Sequence, residues 1–185
     1  MKTLMLFATI LALASCVSAQ QVIDFDSLPV SATPTAIPEN YAGMHWDSID
    51  VVSPAQYPDA GPGFSTGNHV MLAFGGGPLC YPNYGGTNND GSAFKAICMG
   101  RITVGIGPNA LPSFHPVSAV IAAGWINGSI VVTAFNNGVQ VGQQRYNLTT
   151  NASVINFPNG WGQITELMIT PGPRGSFVIY TFTIS

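Results

Sequence analysis

Apolar and polar residues alternate in short runs along most of the chain, with a period of two. In "SFVIYTFTIS", Val178, Tyr180, Phe182 and Ile184 point one way and Ile179, Thr181 and Thr183 the other. That is the pattern of a strand buried on one face and partly wet on the other. In "SIVVTAFNNGVQVGQQRY", Ile130 to Phe135 is β-branched and aromatic, Asn137-Gly138 is the favoured turn pair, and Val139 to Tyr146 returns, which predicts a hairpin. "VSAVIAAGWI" is nearly all apolar, rich in β-branched residues and bounded by Pro116 and Gly128. It predicts a central strand covered on both sides rather than a helix. Further strands are expected over 21–25, 44–52, 70–74, 93–97, 101–106, 153–157 and 164–170. The 21 glycines and 14 prolines punctuate the chain too often for long helices. Many short strands around one core predict an all-β fold, an antiparallel β-sandwich.

One region breaks the alternation. "GGGPLCYPNYGGTNNDG", Gly75 to Gly91, is a long irregular insert dense in Gly, Pro, Asn and Tyr, and long loops of this kind are often functional. At the other extreme, MKTLMLFATILALASCVSA has a basic Lys2, an apolar run over Leu4–Ala14 and a small-residue Val17-Ser18-Ala19. This is the layout of a secretory signal peptide over 1–19, too short and wrongly flanked for a membrane span, and it leaves a single domain over 20–185. No other stretch is long and apolar enough to span a bilayer, so the expected location is secreted and extracellular. Cys80 and Cys98 then remain as an even pair in an oxidising compartment, and a disulfide between them is expected to staple the insert.

Charge narrows the partners. Only 7% of residues are charged, the formal net charge is −3, and no basic patch is present to neutralise phosphates, so nucleic acid is an unsuitable partner. Solubility must rest on Asn, Ser, Thr and Gln, and on any attached sugar. Asn127-Gly128-Ser129, Asn147-Leu148-Thr149 and Asn151-Ala152-Ser153 each match the N-glycosylation acceptor sequence.

Several constellations bear on chemistry. Gly63-Phe64-Ser65-Thr66-Gly67 matches the G-x-S-x-G nucleophile pattern, but it lies between loop and strand signals rather than at a strand-to-helix turn. His45, His69 and His115 show no metal-ligand spacing, and Gly75-Gly76-Gly77 lacks the Lys-Ser/Thr of a phosphate loop. Asp24 and Asp26 lie two apart on an expected strand, which would place both carboxylates on one face. Such a pair has three readings: a solvated strand edge, a structural calcium site, or the catalytic carboxylate pair of a glycosidase. Apart from that calcium, no cofactor is implied. Sugar binding needs flat rings beside amides and hydroxyls. Tyr81, Asn83, Tyr84, Asn89 and Asp90 of the insert have that mixture, and Trp161 in "FPNGWGQ" is a further candidate, whereas Trp46 and Trp125 fall in strand patterns that suit the core.

The opening stretch carries a resemblance. Phe25-Asp26-Ser27-Leu28, then Ile37-Pro38, Tyr41, Gly43-Met44 and Trp46, resembles a pattern in secreted fungal and bacterial jelly-roll proteins related to galactose-binding-like carbohydrate-binding modules. The resemblance implies a jelly-roll sandwich and an extracellular role. Tyr180 stands where that family commonly has an Asp that joins an N-terminal acid at calcium, a departure that weakens the calcium reading. The expected function is that of a secreted, non-catalytic protein acting at a cell wall or host surface, with a cell-wall or host glycan as partner. Two alternatives are an effector or elicitor recognised by host proteins, and a glycan-active enzyme.

Overall fold

The computed structural model describes residues 19–56, 61–64, 69–75, 99–172 and 175–185. The strands are β1 (Gln21–Ile23), β2 (Thr35–Ala36), β3 (Met44–Asp47), β4 (Ile49–Val52), β5 (Leu72–Gly75), β6 (Gly100–Val104), β7 (Pro116–Ala123), β8 (Gly128–Asn136), β9 (Val139–Leu148), β10 (Ser153–Asn156), β11 (Glu166–Pro171) and β12 (Phe177–Ile184). They form two antiparallel sheets packed as a sandwich, as the alternation predicts. The first runs β10-β7-β12-β5-β4-β2, with β1 also paired to β12, and the second runs β3-β6-β11-β8-β9. Among the described residues there is no α-helix, only 3-10 turns at Pro62–Phe64 and Asn159–Trp161.

The core between the sheets is a continuous apolar layer that includes Phe25, Met44, Trp46, Ile102, Phe114, Val132, Leu167, Phe177, Ile179 and Phe182. Phe182 takes edge-on contacts from Trp46, Phe114 and Phe157. Such arrangements add to plain area burial because ring edges meet ring faces.

Three differences from the expected strands have local causes. The run 44–52 is two strands in different sheets. Ser48 turns the corner between β3 and β4 with φ of 57°, a conformation uncommon outside glycine. The closing strand does not keep one face throughout, because its register with β7 shifts between Ile179 and Thr181. Phe177 and Ile179 lie in the inter-sheet core before that irregularity and Phe182 and Ile184 after it, while Val178 and Tyr180 face the other way into a second cluster. A bulge inverts side-chain alternation in this way. The first strand stops at Ile23, so Asp24 and Asp26 lie beyond it. The Asn137-Gly138 hairpin is as expected: both residues have positive φ, 49° and 79°, the signature of a turn that matches strand twist.

The two outer faces differ. Over the first sheet, the chain between β4 and β5 folds back so that Phe64 meets Phe74 and Trp125, with ring centroids 5.5 Å and 5.2 Å apart. With Val52, Leu72, Ala122, Val178 and Tyr180 these rings make the second apolar cluster. The Gly63 N–H donates to the Gly124 carbonyl at 2.8 Å, and backbone contacts at Ala123 and Gly124 leave no room for a side chain at Gly63. Among the described residues, the outer face of the second sheet carries no such covering cluster.

Candidate functional site

The Asp24–Asp26 segment sits at a splice in the first sheet. Along one flank of β12, β5 pairs with Phe177–Ile179 and β1 with Phe182–Ile184, both antiparallel. β1 and β5 therefore run in the same direction and together make one interrupted neighbour, with the gap opposite Tyr180. Asp26 closes that gap. Its Oδ1 accepts the N–H groups of Val70 (2.7 Å) and Met71 (3.0 Å) at the entry to β5, and its Oδ2 lies 2.9 Å from His69 Nδ1. Asp24 Oδ1 accepts the Asp26 N–H at 3.2 Å, a local turn bond that competes with extension of the strand. Tyr41 donates to the Asp24 carbonyl, and the His69 ring packs edge-on against Tyr180, whose hydroxyl donates to the Gly63 carbonyl.

This geometry bears on the three readings of the aspartates. Burial pushes the Asp26 carboxyl upward, but the Met71 and Val70 N–H groups and the His69 ring together hold it below the ordinary aspartate value. A general acid needs the opposite shift. Both oxygens already face N–H donors, a donor set that fits a carboxylate and does not fit a hard cation seeking oxygen ligands. Among the described residues no group of three or more His, Cys, Asp or Glu gathers to hold a metal. The expectation that strand spacing puts Asp24 and Asp26 on one face fails because β1 ends before them. Asp26 links the end of β1 to the entry of β5, and Asp24 shapes the turn that carries it.

The outer face of the second sheet gathers polar and half-buried apolar groups in rows. Ile102, Ile130, Val132, Ala134, Leu167 and Ile169 point into the core, so alternation sends their neighbours outward. Register then aligns them in rows across the strands: His45, Thr103, Glu166 and Phe135 in one; Asp47, Arg101, Met168, Thr133 and Gln143 in the next; Thr170, Val131 and Arg145 in a third. Polar groups on this face are held in place. Arg101 Nε lies 3.1 Å from Glu166 Oε1, His45 Nδ1 lies 2.8 Å from Glu39 Oε2, Gln143 Nε2 donates to Thr133 Oγ1 at 3.0 Å, and an Arg145 NH donates to Ser129 Oγ at 3.2 Å. Exposed ion pairs of this kind add little stability. Here they fix a planar array of guanidinium, carboxylate, amide and hydroxyl groups around the half-buried Phe135, Met168 and Val131.

The sugar-binding candidates from the sequence fare unevenly. Tyr81, Asn83, Tyr84, Asn89 and Asp90 lie outside the described residues, as do Cys80, Cys98 and the 1–18 part of the signal segment. Trp161 is not an exposed platform. It is 7% exposed and packs with Phe157 in the core, and a Cβ on Gly142 of β9 would overlap its indole. The 3-10 turn Asn159–Trp161 folds the ring inward over the end of the sandwich. Asn127, Asn147 and Asn151 are all exposed. They gather at one end, since Asn147 pairs with Ser129 and Asn127 Oδ1 accepts the Thr150 N–H at 3.0 Å. The residues of the open face were missed in the sequence because strand order, which sets the rows, cannot be read from alternation. The available signal was the wet side of each strand.

No family model matches the chain, and no curated protein does. Among solved structures the chain is similar to a DUF4465 family protein from Bacteroides caccae, at 8% identity over 96% of this chain and 98% of that one, with a TM-score of 0.39.

Proposed function

We propose that the chain is a secreted, non-catalytic binding protein that lays the outer face of its second sheet against a cell-wall or host-surface glycan. The observation that carries this is the outer face: Phe135, Met168 and Val131 set among Thr103, Gln143 and the Arg101–Glu166 pair, in register across the strands. Sugars offer apolar C–H faces and hydroxyl edges, and this array meets both. Arg101 and Arg145 are offset by Glu166 and Asp47, so neutral glycans are expected to bind better than acidic ones. The likeness of the opening motif to galactose-binding-like carbohydrate-binding modules points the same way.

A glycan array probed with the secreted protein tests this. Binding to neutral polysaccharides that falls at least tenfold in Phe135→Ala and Met168→Ala, with folding intact by circular dichroism, supports the open face. Retained binding that is lost in Tyr81→Ala with Tyr84→Ala instead moves the site to the insert. A silent array together with a response in infiltrated host tissue replaces glycan binding with recognition by host proteins.

A further inference from the structure

The edge of the second sheet carries an inference independent of any glycan. β9, Val139–Leu148, is the longest of the described strands, and it is the terminal member of its sheet. Nine of its ten residues pair with β8, all but Val141 at the one register shift, and from Gly142 to Leu148 the ladder is unbroken. Among the described residues no other strand pairs with its free side. Within the strand, Gln144 Nε2 donates to the Arg145 carbonyl at 3.1 Å.

Sheet edges of this length are normally blunted by lysine, proline, a covering element or a short strand. β9 has no lysine and no proline, and its one charge is Arg145. Its inner side is held by Trp161 against Gly142, and by Tyr146, which packs edge-on against Phe157 and donates to the Asn156 carbonyl at 2.8 Å. The strand is thus braced from within, while among the described residues no strand covers its edge.

The residue order favours one partner. We propose that β9 pairs antiparallel with β9 of a second copy of this chain, centred on Gln144, joining the two five-stranded sheets into one continuous sheet. An isologous pairing meets the same residues twice. In this register Gln144 faces its own copy, Gly142 faces Tyr146, and Gln143 faces Arg145 on the outer face. The Gln143 side-chain amide can accept from the guanidinium. Centring one residue further along would set the two Arg145 side chains against each other, and like charges directly opposite destabilise a pair.

Analytical ultracentrifugation of the full secreted protein over a concentration series tests the proposal, with two substitutions of opposite sign. Gln143→Glu places a carboxylate opposite Arg145 and should tighten the dimer about fivefold; Gln143→Arg places like charges there and should weaken it about fivefold. An effect on folding alone would not split by sign. A protein that stays monomeric at every concentration overturns the proposal, as does a dimer that both substitutions leave unchanged.

Discussion

Two aspartates show how the same side chain takes opposite roles. Asp26 is stabilised as an anion by backbone N–H groups and His69, whereas Asp50, half-buried on β4 beside Phe74, is raised by burial. For Asp26 the folded value lies below the unfolded one, so its contribution is full above the unfolded pKa and is lost as pH falls through the folded value. Asp26→Asn should therefore lower the melting temperature at neutral pH, and its deficit against the native protein should shrink as pH drops below about 4. Its carboxyl is partly solvated, so the loss should be small, on the order of one hydrogen-bond deletion. For Asp50 the sign reverses: the folded state loses stability as pH rises from the unfolded value through the raised folded one. Asp50→Asn should raise the melting temperature at neutral pH by about 1–3 °C and change nothing in acid. Thermal melts across pH check both.

At the scale of elements, the hairpin at Asn137-Gly138 and the strands on either side were legible because turn chemistry and alternation are local. The corner at Ser48, the splice between β1 and β5, and the bulge at Tyr180 were not. Each is set by which strands meet, and a partner forty residues away leaves no mark on the local pattern. The Asp26 stitch is of this kind: Val70 and Met71 follow it by more than forty positions. The open face was half legible, since the outward residues of each strand could be named but not their rows. Trp161 was misjudged because a tryptophan in a Gly-rich turn resembles a surface ring until Gly142 is known to make room for it. Gly142→Ala should destabilise the fold by about 1–3 kcal/mol through overlap with that indole. Most of the loss should return when Trp161→Leu is added, a non-additivity that denaturant melts of the three variants would measure.

Across the whole molecule the two sheets are unequal. The first is buried on both sides around β12, with apolar clusters between the sheets and under Phe64, while the second, among the described residues, has one uncovered outer face. Stability should be distributed accordingly. Native-state hydrogen exchange is expected to find the slowest amides in β7 and β12 and the fastest strand amides in β9, and uniform protection across both sheets would contradict this. In the dimer, β9 amides should slow with protein concentration while those of β12 should not.

The place of β12 has a consequence for how the chain reaches this state. It follows all the other described strands along the chain, yet β7 flanks it on one side and β1 and β5 share the other. On a ribosome the β8–β9 hairpin can close as soon as it emerges, because its contacts are local. The first sheet has no centre until Phe177–Ile184 arrives, so β1, β4, β5 and β7 must wait with apolar side chains uncovered. Such an order of assembly makes nascent chains dependent on chaperones and slow to fold. It also makes the C-terminal strand the keystone: removing it would not trim an edge but withdraw the element on which the first sheet condenses.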